Sequence, residues 1–136
     1  MKFKKNQSSI SYKEYGIDIS IDDDVNSSLV DKSTIECTGI FPNTNEIEKA
    51  MYINSLFLTV ISETGQQSMN NCLLYKKHVF SDDYTYEKLD DGSNAVVVCF
   101  DFILGQEIIM SLDPGTYYIH ISSLQYQSNI CKFNIL

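Results

Sequence analysis

Residues 112–129 read LDPGTYYIHISSLQYQSN: a Pro-Gly turn, a run of alternating aromatic and aliphatic residues, then a polar turn. Alternation at period two places Tyr117, Ile119 and Ile121 on one face and Tyr118, His120 and Ser122 on the other, the pattern of a strand with one side against a core. The rest of the chain follows the same rule. In YGIDISIDDD, Ile17, Ile19 and Ile21 alternate with Asp18, Ser20 and Asp22 before an acidic turn. STIECTGIF supplies Ile35 and Cys37 and is expected to stop at Gly39 and Pro42.

NTNEIEKAMYINSLFLTVIS mixes two signals. Asn43 or Thr44 can cap a helix through Glu46, Glu48, Lys49 and Ala50, of one or two turns at most. From Tyr52 onward the β-branched and aromatic residues predict a long strand. SETGQQSMNN, residues 62–71, reads as a loop, and CLLYKKHVF as another strand. DDYTYEKLDDGSNAVVVCFDFIL reads as a hairpin turning at Asp91-Gly92. QEIIMSL adds a short strand after Gly105, and Thr116–Ser122 with Asn129–Ile135 close the chain.

With no helical pattern between these segments, the expected fold is all-β: an antiparallel sandwich of about eight or nine strands with at most one short helix, a closed barrel being the alternative. One domain over residues 1–136 is expected, the first dozen residues frayed.

LDPGTYYIHI also resembles the turn and late strand of immunoglobulin-like and fibronectin type III sandwiches. Leu112, Pro114, Gly115, Thr116 and Tyr118 match that pattern, and SSLQYQSNICKFNIL resembles the last hairpin. The resemblance covers about the last 25 residues and implies an immunoglobulin-like sandwich with a tyrosine anchoring the corner. By register either Tyr117 or Tyr118 can be that residue. The chain has no tryptophan to fill the place of the buried one in antibody domains.

Composition narrows the function. The net charge is −8 and all ten basic residues are lysines, so the chain lacks the side chain best suited to bidentate phosphate or guanine recognition. Nucleic acid and anionic membranes are disfavoured as partners, and a basic protein is favoured. The N-terminus has a positive start without an apolar run, and no stretch approaches the roughly 18 apolar residues of a spanning helix, so a cytoplasmic location without a cleaved leader is expected. Cys37, Cys72, Cys99 and Cys131 show no CxxC pair or ligand spacing, the pattern of reduced thiols rather than a zinc site.

Catalytic constellations are not apparent. His78 and His120 lie in strand patterns, no serine sits in a GxSxG elbow, the glycines form no phosphate cradle, and no two carboxylates stand out as a glycosidase pair. No cofactor is implied. Asp22, Asp23 and Asp24, with Asp82-Asp83 and Asp90-Asp91, fall in expected turns; they lack the D-x-D spacing of a calcium loop and read as solvated, with calcium binding as an alternative.

The strongest binding signal is DDYTYEKLDD, in which Tyr84 and Tyr86 share a strand face bracketed by Asp82, Asp83, Asp90 and Asp91. Three roles are compatible with these observations. One is a non-catalytic binding domain of immunity or inhibitor type that neutralises a basic toxin or enzyme. The others are a structural or adhesive module and a calcium- or ligand-binding sandwich.

Overall fold

The computed structural model describes residues 2–4, 14–73, 84–108 and 111–136. Its strands are β1 (Lys2–Lys4), β2 (Gly16–Ser20), β3 (Asp24–Val25), β4 (Thr34–Pro42), β5 (Leu56–Ser62), β6 (Ser68–Cys72), β7 (Tyr84–Lys88), β8 (Asn94–Ile103), β9 (Gly115–Ser123), β10 (Tyr126–Gln127) and β11 (Cys131–Ile135). They form two sheets packed face to face as a β-sandwich. In the first, β4 lies between β2 and β8, and the far edge of β8 is shared by β7 over its first half and β1 over its second. The second runs β3-β11-β9-β5-β6, with β10 beside the end of β9. All pairings between named strands are antiparallel except β3 with β11.

The core is what the alternation predicts. Ile35, Phe100 and Phe102 from the first sheet meet Leu58, Val60, Ile119, Ile121 and Phe133 from the second, all at most 2% exposed. Burying each such side chain contributes about 1.5–3 kcal/mol. Along β8 the alternation gives way to the run Ala95–Val98, buried on both faces; Val96 and Val98 join the central cluster, whereas Val97 is buried outside it.

Several expectations fail for local reasons. Gly39 does not end β4, which continues to Pro42; with no Cβ, Gly39 leaves room for the ring of Phe41, whose Cε2 would lie 2.6 Å from an added Cβ. Among the described residues three short helices stand where at most one was expected. Ser27–Lys32 forms a 3₁₀ helix capped by the Asn26 side chain, which accepts from the Ser28 amide. α1 (Glu46–Asn54) is capped by Asn45, whose side chain accepts from the Glu48 amide, and it runs past the expected strand start because Lys49, Tyr52 and Ile53 form its buried face at i, i+3 and i+4.

α2 (Leu104–Glu107) takes in Gln106 and Glu107, the first two residues of the expected QEIIMSL strand, and seats buried Leu104 through its amide on the Ser33 carbonyl. β6 forms inside the expected loop 62–71: only Met69 reaches the core, which is why its polar sequence concealed it. Most of the expected CLLYKKHVF strand lies outside the described residues, as does most of the expected frayed N-terminal segment.

Two devices tie the sheets together. At one end Phe41 stacks on Tyr52 (5.3 Å, 3°), and Tyr126 tilts against both at 6.0 and 5.5 Å. Tyr15 adds a fourth ring 6.2 Å from Tyr126 and donates to the Asn94 carbonyl at 2.8 Å. On one flank the Asn129 amide completes what a neighbouring strand would do for β2: its Oδ1 accepts from the Ile19 N–H and its Nδ2 donates to the Ile19 carbonyl, both at 2.9 Å.

The corner ahead of β9 is anchored by Tyr117, not Tyr118. Its hydroxyl donates to the Asp113 carbonyl at 2.6 Å, and its ring stacks on Phe133 at 5.5 Å. Tyr117→Phe is expected to lower the unfolding free energy by about 1 kcal/mol through that hydrogen bond. Tyr118→Phe should change it by less than about 0.5 kcal/mol, being half-exposed on the opposite face. Urea titrations of the two variants make the comparison, and equal losses would deny Tyr117 its anchoring role.

Candidate partner-binding surfaces

The β7–β8 hairpin places two of the sequence-selected aspartates in one turn. The Gly92 amide donates to the Leu89 carbonyl at 2.9 Å and the Leu89 amide to the Ser93 carbonyl at 2.8 Å, with Gly92 at φ 87° where glycine is favoured. The Asp91 carboxylate accepts from the Ser93 amide at 2.9 Å, and hydrogen bonding from Ser93 holds its carboxyl below the usual carboxylate range. Asp91 therefore shapes the turn, while Asp90 is exposed beside it. Asp82 and Asp83 lie outside the described residues.

Tyr84 and Tyr86 do share a face, and register determines which. Tyr84 pairs with Val98 and Tyr86 with Val96, so both rings stand on the core side of the sheet at its edge. There α1 supplies a cation that the sequence reading had not connected with them. Lys49, 3% exposed, sets its Nζ 4.9 Å from the Tyr86 ring centroid and 5.6 Å from that of Tyr84.

The same ammonium donates to the Tyr86 hydroxyl at 3.0 Å and to Glu46 Oε1 at 2.7 Å. These bonds, that to Glu46 foremost, raise the Lys49 pKa above the ordinary lysine value. The tyrosine face thus already holds a cation, the chain's own. The available sequence signal was Lys49 at helical spacing from Tyr52 and Ile53.

A second acidic surface is assembled by topology. β4 and β9 begin, and β2, β5, β8 and β11 finish, at the end opposite the hairpin turn. The connections there carry Asp22, Asp23, Asp24, Asp31, Glu63 and Asp113, all exposed, with Lys32 as a basic neighbour in the 3₁₀ helix. The Asp24 carboxylate accepts from Asn134 Nδ2 at 3.0 Å and that of Asp113 from the Ser111 hydroxyl at 3.2 Å. A groove of about 380 Å³ opens here, with Glu63 and Asp113 among its lining and Ser62, Gln67 and Thr116 along it.

Among the described residues no group of three His, Cys, Asp or Glu side chains is arranged to hold a metal ion. His120 sets Nε2 3.0 Å from Gln127 Oε1 on the outer face of the second sheet, and His78 lies outside the described residues. Cys37 is buried, and its thiol is pushed far above its ordinary value by burial first and then by neighbouring charges, Asp101 foremost. Cys37, Cys72, Cys99 and Cys131 form no disulfide with one another. No helix among the described residues is long and apolar enough to cross a membrane. No known protein family and no curated protein matches this chain.

Proposed function

We propose that this chain is a non-catalytic protein-binding domain of immunoglobulin-like arrangement. In this reading it engages a basic protein through its acidic end, as an immunity or inhibitor protein covers a cationic toxin or enzyme. Two observations support the arrangement. The strand orders β2-β4-β8-β7 and β11-β9-β5-β6 correspond to the ABED and GFCC′ orders of immunoglobulin-like sandwiches, and the Tyr117 hydroxyl returns to the backbone four residues upstream.

Architecture alone assigns no role. The observation that carries the function is the gathering of exposed carboxylates from four separate connections at one end, where Glu63 and Asp113 also line a groove. Such a field accelerates encounter with a basic partner and orients it.

The test is retention and association rate against proteins of the source cell across a salt gradient. Reversal of Asp22, Asp23 and Asp31 to lysine is expected to slow association by about tenfold or more at low salt, with unchanged thermal unfolding. A second variant reverses Asp82, Asp83 and Asp90, the acidic residues that bracket Tyr84 and Tyr86 in sequence, and spares turn-forming Asp91. Loss of binding only in that variant would move the site to the hairpin, and undiminished binding in both would remove the electrostatic reading.

A further inference from the structure

The two sheets present different outer faces. That of the first carries Asp18, Glu36 and Asp101. On the second, the register of β6, β5, β9 and β11 places no aspartate or glutamate outward, although the chain has 18 acidic residues. Across these four strands the ordinarily charged or imidazole side chains are Lys132 and His120; Asp24 lies beyond them, on edge strand β3 against Asn134. Apolar side chains stand exposed instead: Phe57 at 41%, Ile61 at 42% and, beside β11, Ile130 at 70%. A shallow groove of about 150 Å³ runs between Ile61, Tyr118, His120 and Ile130.

We propose that this face docks a second copy of the chain. A two-fold contact lays the same patch on itself, so a patch of one charge sign opposes itself, and a neutral one does not. Here the register shows the fit. With the axis in the interface, running between β5 and β9, each strand lies over its mirror neighbour at equal height. Ile61 pairs with Tyr118 across those strands, so each Ile61 meets the other copy's Tyr118. Lys132 pairs with Tyr118 and Ser68 with Ile61 in the same row, so each Lys132 meets a serine and not its own counterpart.

Charge also bears on the occupant. A basic protein is drawn to the acidic end rather than to this face, whereas a copy brings a matching neutral patch and keeps its own acidic end turned away from the contact. Four strands at the usual spacing and length give about 400 Å² of plan area per copy, at the low end of interface sizes, so the expected association is weak and reversible.

Sedimentation of the full chain, with reductant present, over about 5 to 500 μM tests this. The mean mass is expected to rise toward the dimer. Added salt should strengthen association by screening repulsion between two copies of charge −8, the opposite of its effect on a complex with a basic protein. That sign separates the two proposals. Ile61→Asp should weaken association by about tenfold or more. Ile47→Asp, on the exposed side of α1, should leave it unchanged.

Should Ile61→Asp disturb folding, Ile130→Asp outside the strands gives the same comparison. A monomer at every concentration and salt would overturn the proposal, as would association that salt weakens or that the sheet variants leave intact.

Discussion

Replacing Phe41 with alanine is expected to lower the unfolding free energy by about 3–5 kcal/mol, read as a fall in the urea midpoint at unchanged slope. Phe41 is fully buried, stacks on Tyr52 and lies tilted against Tyr126, so its loss empties the middle of the ring cluster that seals one end of the sandwich. The gap has little means of collapsing. Gly39, whose missing side chain leaves space for the ring, cannot fill it, and Tyr52 is held at the end of α1 by its backbone carbonyl, which accepts from the Ser123 hydroxyl. A loss below about 1 kcal/mol would mean that the cluster contributes little beyond covering.

Raising the pH should also unfold this protein, and the direction follows from proton counting. Cys37 keeps its proton in the native state well beyond the pH, roughly 8.5, at which an unfolded cysteine releases it. Above that pH the native state binds more protons than the unfolded one, so stability falls as pH rises. Cys37 alone costs about 1.4 kcal/mol per pH unit, or about 3 kcal/mol between pH 8.5 and pH 11.

Burial likewise raises the pKa of Cys131, Tyr117 and Tyr126, and the Lys49 cage raises its own, so all act in the same direction and none opposes. Denaturant titrations from pH 7 to pH 11 should show a plateau and then a decline. Cys37→Ala should flatten the first part of the decline while lowering the plateau. A curve level to pH 11 would show that the thiol ionises freely in the folded chain.

Where one face of a strand meets oil and the other water, the sequence declares it: Ile17 and Ile19, Leu58 and Val60, Ile119 and Ile121 occupy the core as their spacing predicts. What stayed hidden depends on partners remote in sequence. The strand through Ser68–Cys72, outermost among the described strands of its sheet, has one buried hydrophobe, and Gly39 reads as a stop until Phe41 is seen lying against it.

Tyr84 and Tyr86 were legibly co-facial, but which face they occupy is set by pairing to Val98 and Val96, and their cation comes from a helix 35 residues earlier in the case of Tyr84. The acidic end is the extreme instance. Asp22, Asp31, Glu63 and Asp113 are unremarkable singly, and only the sandwich topology makes them neighbours.

The pairing of Asn129 with Ile19 has a consequence for the company this protein keeps. An outermost strand offers a row of vacant amides and carbonyls on which another chain can nucleate, the first step of strand exchange and fibril growth. At Ile19 both groups are occupied by one side chain, and Ser128 bridges Ile17 beside it. On that flank Ser128 and Asn129 stand where a templating strand would have to pair with Ile17 and Ile19.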